Sequence, residues 1–249
     1  MMRFLRALRS WQRAAVVTYV LIPAGCAGQS ADGIAARHLA AVGGLDRLVA
    51  IRASITETIM TLDGKQSTCV YYLKRPNKVG MEMAYPAVAA VMAYNGVVGW
   101  KQAIMSNGER RPPSPITESE TRHIIEDFEG SFADSLLDYE KGHVQLRLAG
   151  RESVLGSDAY ILEITRQDGA TERRFIDIKS YMEVATSHRD AGSGVLYKMI
   201  RDDFRRSGGI MVPFHEVLYR DGKVFMETTC TKVRFLSSMD DSVFEKPQF

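Results

Sequence analysis

Residues 71–102 constrain this chain more than any other stretch, because they hold strand-forming segments separated by turns too short for any pairing but antiparallel. Residues 71–74 favour a strand, and the turn at Arg75, Pro76, Asn77 and Lys78 interrupts it with a proline that cannot donate to a ladder. Over 79–85 the alternation puts Val79, Met81, Met83 and Tyr85 on one face and Lys78 and Glu82 on the other. A short apolar segment at 91–94 follows, then Asn95-Gly96, a strong hairpin signal, then a strand at 97–102 containing Trp100. The pattern predicts an antiparallel sheet with one apolar face.

The rest of the chain repeats these features. Residues 54–62 and 66–74 form a hairpin around Asp63-Gly64. Beyond His143, alternating segments recur at 144–148, 160–164, 171–178, 183–189, 195–205, 210–219 and 224–235, with turns at Asp168-Gly169, Gly208-Gly209 and Asp221-Gly222. The expectation is about ten or eleven strands, nearly all joined by short turns, in an up-and-down sheet curled around helices. A first helix is expected over 33–42 with Asp32 as its N-cap, stopped by Gly43-Gly44 and followed by a helical turn at 45–51. Midway, a proline-rich connector at 111–115 leads to a helical insertion at about 117–141. Thr117 and Glu120 have capping-box spacing there, and Ile124, Ile125, Phe128, Phe132, Leu136 and Leu137 recur at helical intervals.

The N-terminus reads as an export signal. Arg3, Arg6, Arg9 and Arg13 precede an apolar run at 14–22, followed by Pro23, Ala24, Gly25 and Cys26. The run is short for a transmembrane helix, which makes a membrane anchor the weaker alternative. Small residues before Cys26 resemble a bacterial lipobox, which would make Cys26 a lipid anchor, although Pro23 stands where leucine is usual. Ordinary cleavage just after Ala27 is the competing expectation. Residues 1–26 would then be the signal and 27–249 one domain. Loss of the four arginines lowers the formal charge from +2 to −2, which gives no electrostatic footprint for nucleic acid. With Cys26 lipidated or removed, Cys69 and Cys230 remain as an even pair in an oxidising compartment. They are either bridged, if their strands are adjacent, or two separately buried thiols.

Several motifs occur in an order that resembles the outer-membrane lipoprotein-sorting family, the LolA/LolB-like proteins. They are Lys74-Arg75-Pro76-Asn77-Lys78, then Met81-Glu82-Met83, then the hairpin from Tyr94 through Asn95, Gly96 and Gly99 to Trp100. The segment Gly43-Gly44-Leu45-Asp46-Arg47-Leu48 precedes the first strand, and Gly150 to Gly156, Phe175-Ile176-Asp177 and Gly209-Ile210 before Pro213 continue the order. The resemblance spans roughly 31–249 and implies an incomplete antiparallel β-barrel covered by helices, an α+β fold enclosing an apolar cavity.

No catalytic or metal motif accompanies this pattern, so neither a cofactor nor a metal is expected. HExxH, CxxC, GxSxG and P-loop patterns are lacking, and His38, His123, His143, His188 and His215 are scattered. The mature chain is instead rich in methionine, an unbranched side chain that adapts to irregular apolar partners. Methionine also fills ordinary cores. The residues expected to line a ligand site are Met81, Met83, Tyr85, Met92, Trp100, Phe128 and Phe132, with the 117–137 helix as a lid. The function expected from the resemblance is a non-enzymatic carrier of acyl chains, lipids or lipoproteins in the periplasm or at the outer membrane. The alternatives are an envelope sensing module on the same fold, or an enzyme using Glu82, His123 or His215.

Overall fold

Thirteen strands form one antiparallel sheet in the computed structural model, which describes residues 29–86, 88–121, 124, 136–137, 144–167 and 169–248. The chain opens with α1 (Ala31–Val42) and α2 (Leu45–Ala50). Six strands follow: β1 (Ala53–Leu62), β2 (Lys65–Lys74), β3 (Lys78–Ala84), β4 (Val88–Tyr94), β5 (Gly99–Met105) and β6 (Ser114–Pro115). The second set is β7 (Val144–Val154), β8 (Ser157–Arg166), β9 (Thr171–Asp177), β10 (Glu183–Arg189), β11 (Leu196–Ser207), β12 (Ile210–Arg220) and β13 (Lys223–Leu236). Among the described residues no helix is long and apolar enough to cross a membrane.

The sheet order is β6-β5-β4-β3-β2-β1-β13-β12-β11-β10-β9-β8-β7. The chain therefore winds outward from β1 to one edge, passes to the opposite edge, and winds back until β13 seals on β1, from Ala53 opposite Leu236 to Leu62 opposite Met226. Among the described residues the two edges, β6 and β7, are not paired with each other, so the sheet is open, in keeping with the incomplete barrel expected. The expected count of about ten or eleven strands is too low. One addition is β6, two residues of the proline-rich connector that pair with Trp100 and Lys101. A proline fits there because its missing N–H lies at a sheet edge.

Helix α1 begins one cap earlier than the sequence pattern suggests. Ser30, not Asp32, is the N-cap, its Oγ accepting from the Gly33 amide at 3.0 Å, while Asp32 sits in the first turn where its charge suits the helix dipole. Gly43 ends the helix with little room to spare: a Cβ there would lie 2.6 Å from Ile210 Cδ1 and 3.1 Å from the Gly209 carbonyl. That close approach lets the helix end rest on the β11–β12 turn. Arg75, in the β2–β3 turn, donates to the carbonyls of Leu48, Val49 and Ile51 and so caps the end of α2.

The main core lies where the helices meet the sheet. Ile34, Ala35 and Leu39 of α1 and Leu48 of α2 pack with Tyr160, Leu162 and Ile164 of β8, Ile176 of β9 and Ile210 of β12. Leu136 and Leu137 join them, 0% and 3% exposed. Helix α1 contacts both β7 and β12, which are five strand spacings apart, about 24 Å along a flat sheet. A helix of this length spans only about 18 Å, so the sheet curls toward the helices.

The opposite face of the sheet is covered too. Phe244, fully buried in the 3-10 turn Asp241–Phe244, sits on Gly80. The Phe244 carbonyl accepts from Trp100 Nε1 at 2.9 Å. Lys74 and Lys78 hold Asp241 at 2.6 and 2.9 Å, tying the C-terminal tail across this face. Further along, Val154, Ala159, Phe175 and Ala185 form a second small core.

Candidate functional site

The helix face of the sheet divides into three zones, set by strand parity and cross-strand register. The first is the α1-covered core just described. The second is an apolar patch on β2, β3 and β4. Here Leu73, Val79 and Tyr94 are in register, as are Tyr71, Met81 and Met92, and as are Cys69, Met83 and Ala90. Leu73 and Val79 are buried under Ile124 and Ile116, whereas Met81, Met83 and Met92 are only half-buried. Ile116 is fixed by Gly99, where a Cβ would lie 2.1 Å from Ile116 Cδ1.

Between these zones runs a line of alternating charges on β8 to β12. Arg166 lies 4.0 Å from Glu172, Glu172 accepts from Arg174 at 3.2 Å, and Arg174 binds Glu183. Glu183 in turn binds Arg201, which donates to Glu216 at 2.9 Å. The side chains of Arg174 and Glu183 are 6% and 11% exposed, while Glu216 is 30% exposed at the far end. Burial disfavours the charged form of Arg201, but the Glu183 and Glu216 carboxylates outweigh it and push the guanidinium further up. From Glu216 the register continues through Thr228 and Met60 to Ser67, joining the charged line to the apolar patch.

Met81, Met83 and Met92 thus come together as expected, and Tyr85 continues their alternation just past the end of β3. Trp100 does not. It pairs with Ala93, whereas the position opposite Met92 is Lys101, so the indole lies on the far face beneath the tail. The error is one of parity: hairpin register moved the aromatic to the other side. Phe128 and Phe132 fall outside the described residues, as do Cys26, His123 and His143.

Cys69 and Cys230 are free buried thiols, which corrects the disulfide alternative. Each is opposite Thr58, on the two strands flanking β1, so two strand spacings of about 10 Å separate them. A bridge needs Cα atoms within about 7 Å. Burial raises the pKa of both thiols.

Histidine and acid positions sort by face. His38 is buried, its Nδ1 2.8 Å from the Tyr181 carbonyl, and serves to fasten α1 to the β9–β10 turn. His215 sits on the face opposite Glu216, 2.8 Å from Asp202 and 3.0 Å from Glu227, and its pKa is raised by the bond to Glu227, against burial, and by Asp202. Glu82 is exposed on that same face. Neither residue reaches the methionine patch. The Thr117–Glu120 capping box forms as read: Thr117 N donates to Glu120 at 2.7 Å, and Glu120 N donates to Thr117 Oγ1 at 3.1 Å. A hydrogen bond from Lys101, then that from Thr117, holds the Glu120 carboxyl down at about 2. The charged line itself was missed. Its signal was Arg173-Arg174 on one strand and His215-Glu216 on another, where one member of each pair must face inward.

Two open hollows of about 320 and 270 Å³ lie on the described surface. The first is lined by Leu196, Lys198, Ile200, Tyr219 and Gly222, the second includes Asp177, Arg201 and Phe204, and neither is lined by the β3 and β4 methionines.

A wide, open antiparallel meander curled toward two N-terminal helices, with an apolar patch and an ionic line on its inner side, is the LolA-like fold. Solved structures bear this out. The chain is similar to a LolA superfamily protein from Nitrosomonas europaea, with TM-score 0.55, 13% identity, and coverage of 88% of this chain and 99% of that one. It is similar to a DUF1329 family protein from Desulfovibrio piger, with TM-score 0.55, 15% identity, and coverage of 88% and 98%. A putative outer membrane lipoprotein-sorting protein domain from Vibrio parahaemolyticus aligns with TM-score 0.54, 11% identity, and coverage of 87% and 96%. Identities this low establish the fold alone. No protein-family model and no curated protein matches the chain.

Proposed function

We propose that this protein is an exported, non-enzymatic carrier that holds an acyl chain, a lipid or a lipid-modified protein against the helix face of its sheet. The observation that carries this reading is the Tyr71, Met81, Met83 and Met92 patch. It is in register, half-buried, and backed by a face of the same strands that the C-terminal tail already seals. Among the described residues Met81 and Met83 belong to no buried cluster, whereas Met92 packs at the edge of the Leu73, Val79 and Ile124 cluster, so the two β3 methionines are free to take a ligand. Each methylene laid on them gains about 0.8 kcal/mol, enough to hold a chain and to release it to a better acceptor without nucleotide hydrolysis. The LolA-like fold and its lipoprotein-sorting relatives support an envelope or periplasmic location, with Cys26 as the lipid anchor.

The segment after β6 serves as the lid in this reading. Ile116 and Ile124 rest on the apolar patch, and Leu136 and Leu137 lie in the α1 core, so the chain is fixed on both halves of the face. Phe128 and Phe132 lie between these anchors in sequence.

The test is mass spectrometry of an organic extract from mature protein purified without detergent. A stoichiometric lipid, fatty acid or acylated peptide is expected, and Phe128→Asp should lose retention of a fluorescent fatty acid with the far-UV spectrum unchanged. An empty extract together with no uptake of the probe overturns the carrier reading.

A further inference from the structure

Most of the exposed large apolar side chains gather at one end of the sheet. Leu45 and Val49 on α2, Val97 and Val98 in the β4–β5 turn, Leu155 in the β7–β8 turn and Val243 in the tail all lie where β1 begins and β13 stops. Val97 and Val98 protrude furthest, 82% and 58% exposed. The elements carrying five of these six are tied side by side. Arg75 of the β2–β3 turn bonds the α2 carbonyls, Asn77 donates to the Gly96 carbonyl at 3.4 Å, and Asn95 donates to Glu245 of the tail at 3.1 Å.

These are separate projecting tips, not the walls of a groove, so they match a laterally continuous apolar layer better than a single protein ligand. The β4–β5 turn is also equipped to leave water. Asn95 Oδ1 accepts from the amides of Val97 and Val98 at 3.0 and 2.9 Å, and Asn95 N donates to the Val98 carbonyl at 3.1 Å. Those amides would not be stranded in a medium without hydrogen-bonding partners. The described chain starts at this end too: Gln29 donates to Tyr181 Oη in the β9–β10 turn at 2.9 Å. The apolar run at 14–22 and Cys26 precede Gln29 in sequence, so any tether they form leaves from here. Exposed Arg47, Arg52, Lys179 and Lys246 are interspersed with exposed Asp46, Asp158 and Glu245, which makes apolar insertion, not anion attraction, the driving term.

We propose that this end of the sheet docks on a phospholipid bilayer with Val97 and Val98 inserted, whatever the helix face carries. The experiment places an environment-sensitive fluorescent amino acid at position 97 or, as the opposite-end control, at Lys65 in full-length protein. Both are mixed with phosphatidylethanolamine–phosphatidylglycerol vesicles. A blue shift at 97 with none at 65 is expected. Shifts at both positions, at neither, or at 65 alone overturn the proposal, and because the probe reports orientation, binding through residues 14–26 alone does not imitate success. Val97→Asp with Val98→Asp should weaken vesicle partitioning by roughly tenfold or more, the equivalent of removing one or two buried valines. The same double variant should retain fatty-acid uptake, so failure here and failure of the carrier reading are separate results.

Discussion

Replacing Arg174 with Met tests whether the charged line on the helix face is truly enclosed. The Arg174 side chain is 6% exposed and contacts both Glu172 and Glu183, whose side chains are 17% and 11% exposed. Its removal leaves Glu183 sharing Arg201 with Glu216, and Glu172 facing Arg166 at 4.0 Å. Breaking a buried ion pair by removing one member costs about 3–5 kcal/mol, because a charge stays buried without its counter-ion. For a chain of this size that lowers Tm by about 6–20 °C. Replacing the pair Arg174 and Glu183 together by Met leaves Arg166–Glu172 and Arg201–Glu216 as separate neutral pairs, and should return stability to within about 1 kcal/mol of the parent. The assay is urea unfolding of the two single variants and the double, with m held constant as the sign that the unfolded state is unchanged. With each single variant down by about 3–5 kcal/mol and the double within about 1 kcal/mol of the parent, a coupling of at least about 5 kcal/mol is expected. A loss of less than about 1 kcal/mol in Arg174→Met, the value of an exposed pair, would refute the reasoning and show the line to be open to water.

Other tests address single features. Phe244→Ala should destabilise the protein by about 3–5 kcal/mol and red-shift Trp100 emission while leaving acyl binding intact; lost acyl binding would put the tail in the site. Met81→Asp with Met83→Asp should weaken a fluorescent fatty acid about 10–100-fold, as two apolar contacts are withdrawn, with little change in Tm. His215 should titrate above its ordinary range by NMR, and Asp202→Asn should bring it down. Because its folded-state pKa is raised, its stabilising contribution is complete below about pH 6.5 and fades as pH rises through the folded value. For Glu120 the sign reverses: its contribution is present above the ordinary carboxylate range and is lost as pH falls toward about 2, so the Thr117 cap should loosen in acid by amide exchange. Cys69 and Cys230 should react with a thiol reagent only on unfolding, and a reductant should leave Tm unchanged; a Tm drop would mean they pair.

How far the sequence could be read depended on how local each determinant was. Hairpins at Asp63-Gly64, Asn95-Gly96 and Asp221-Gly222, the Gly43-Gly44 stop and the Thr117–Glu120 cap depend on a few consecutive residues and appear as read. Met81, Met83 and Met92 share a face because the β3–β4 turn sets their register directly. What escaped depended on which face of the sheet turns inward, or on chain far away in sequence. The salt links Arg174–Glu183 and Arg201–Glu216 need β9 beside β10 and β11 beside β12, and two-residue periodicity says which residues share a face but not which face is inside. Cys69 and Cys230 look like a pair until β1 is seen to lie between them.

Trp100 shows the same limit and explains the division of labour between the faces. A strand with one apolar side implies that its aromatic belongs there, yet the tail supplies a second apolar layer, and Tyr72, Gly80, Ala93 and Trp100 turn toward it. Sealing that side fixes β2 to β5 by packing that owes nothing to the helix face. Where one side of a sheet supplies the packing, the other can leave methionines half-exposed without loss of order. A protein that must give up its ligand needs this arrangement, because the empty state keeps its fold. If the β3 methionines were instead the true core of β2 to β4, Met81→Asp with Met83→Asp would unfold these strands and Phe244→Ala would be mild. Amide exchange across β2 to β5 in the two variants distinguishes these cases: rapid exchange is expected in the Phe244 variant and protection in the methionine variant.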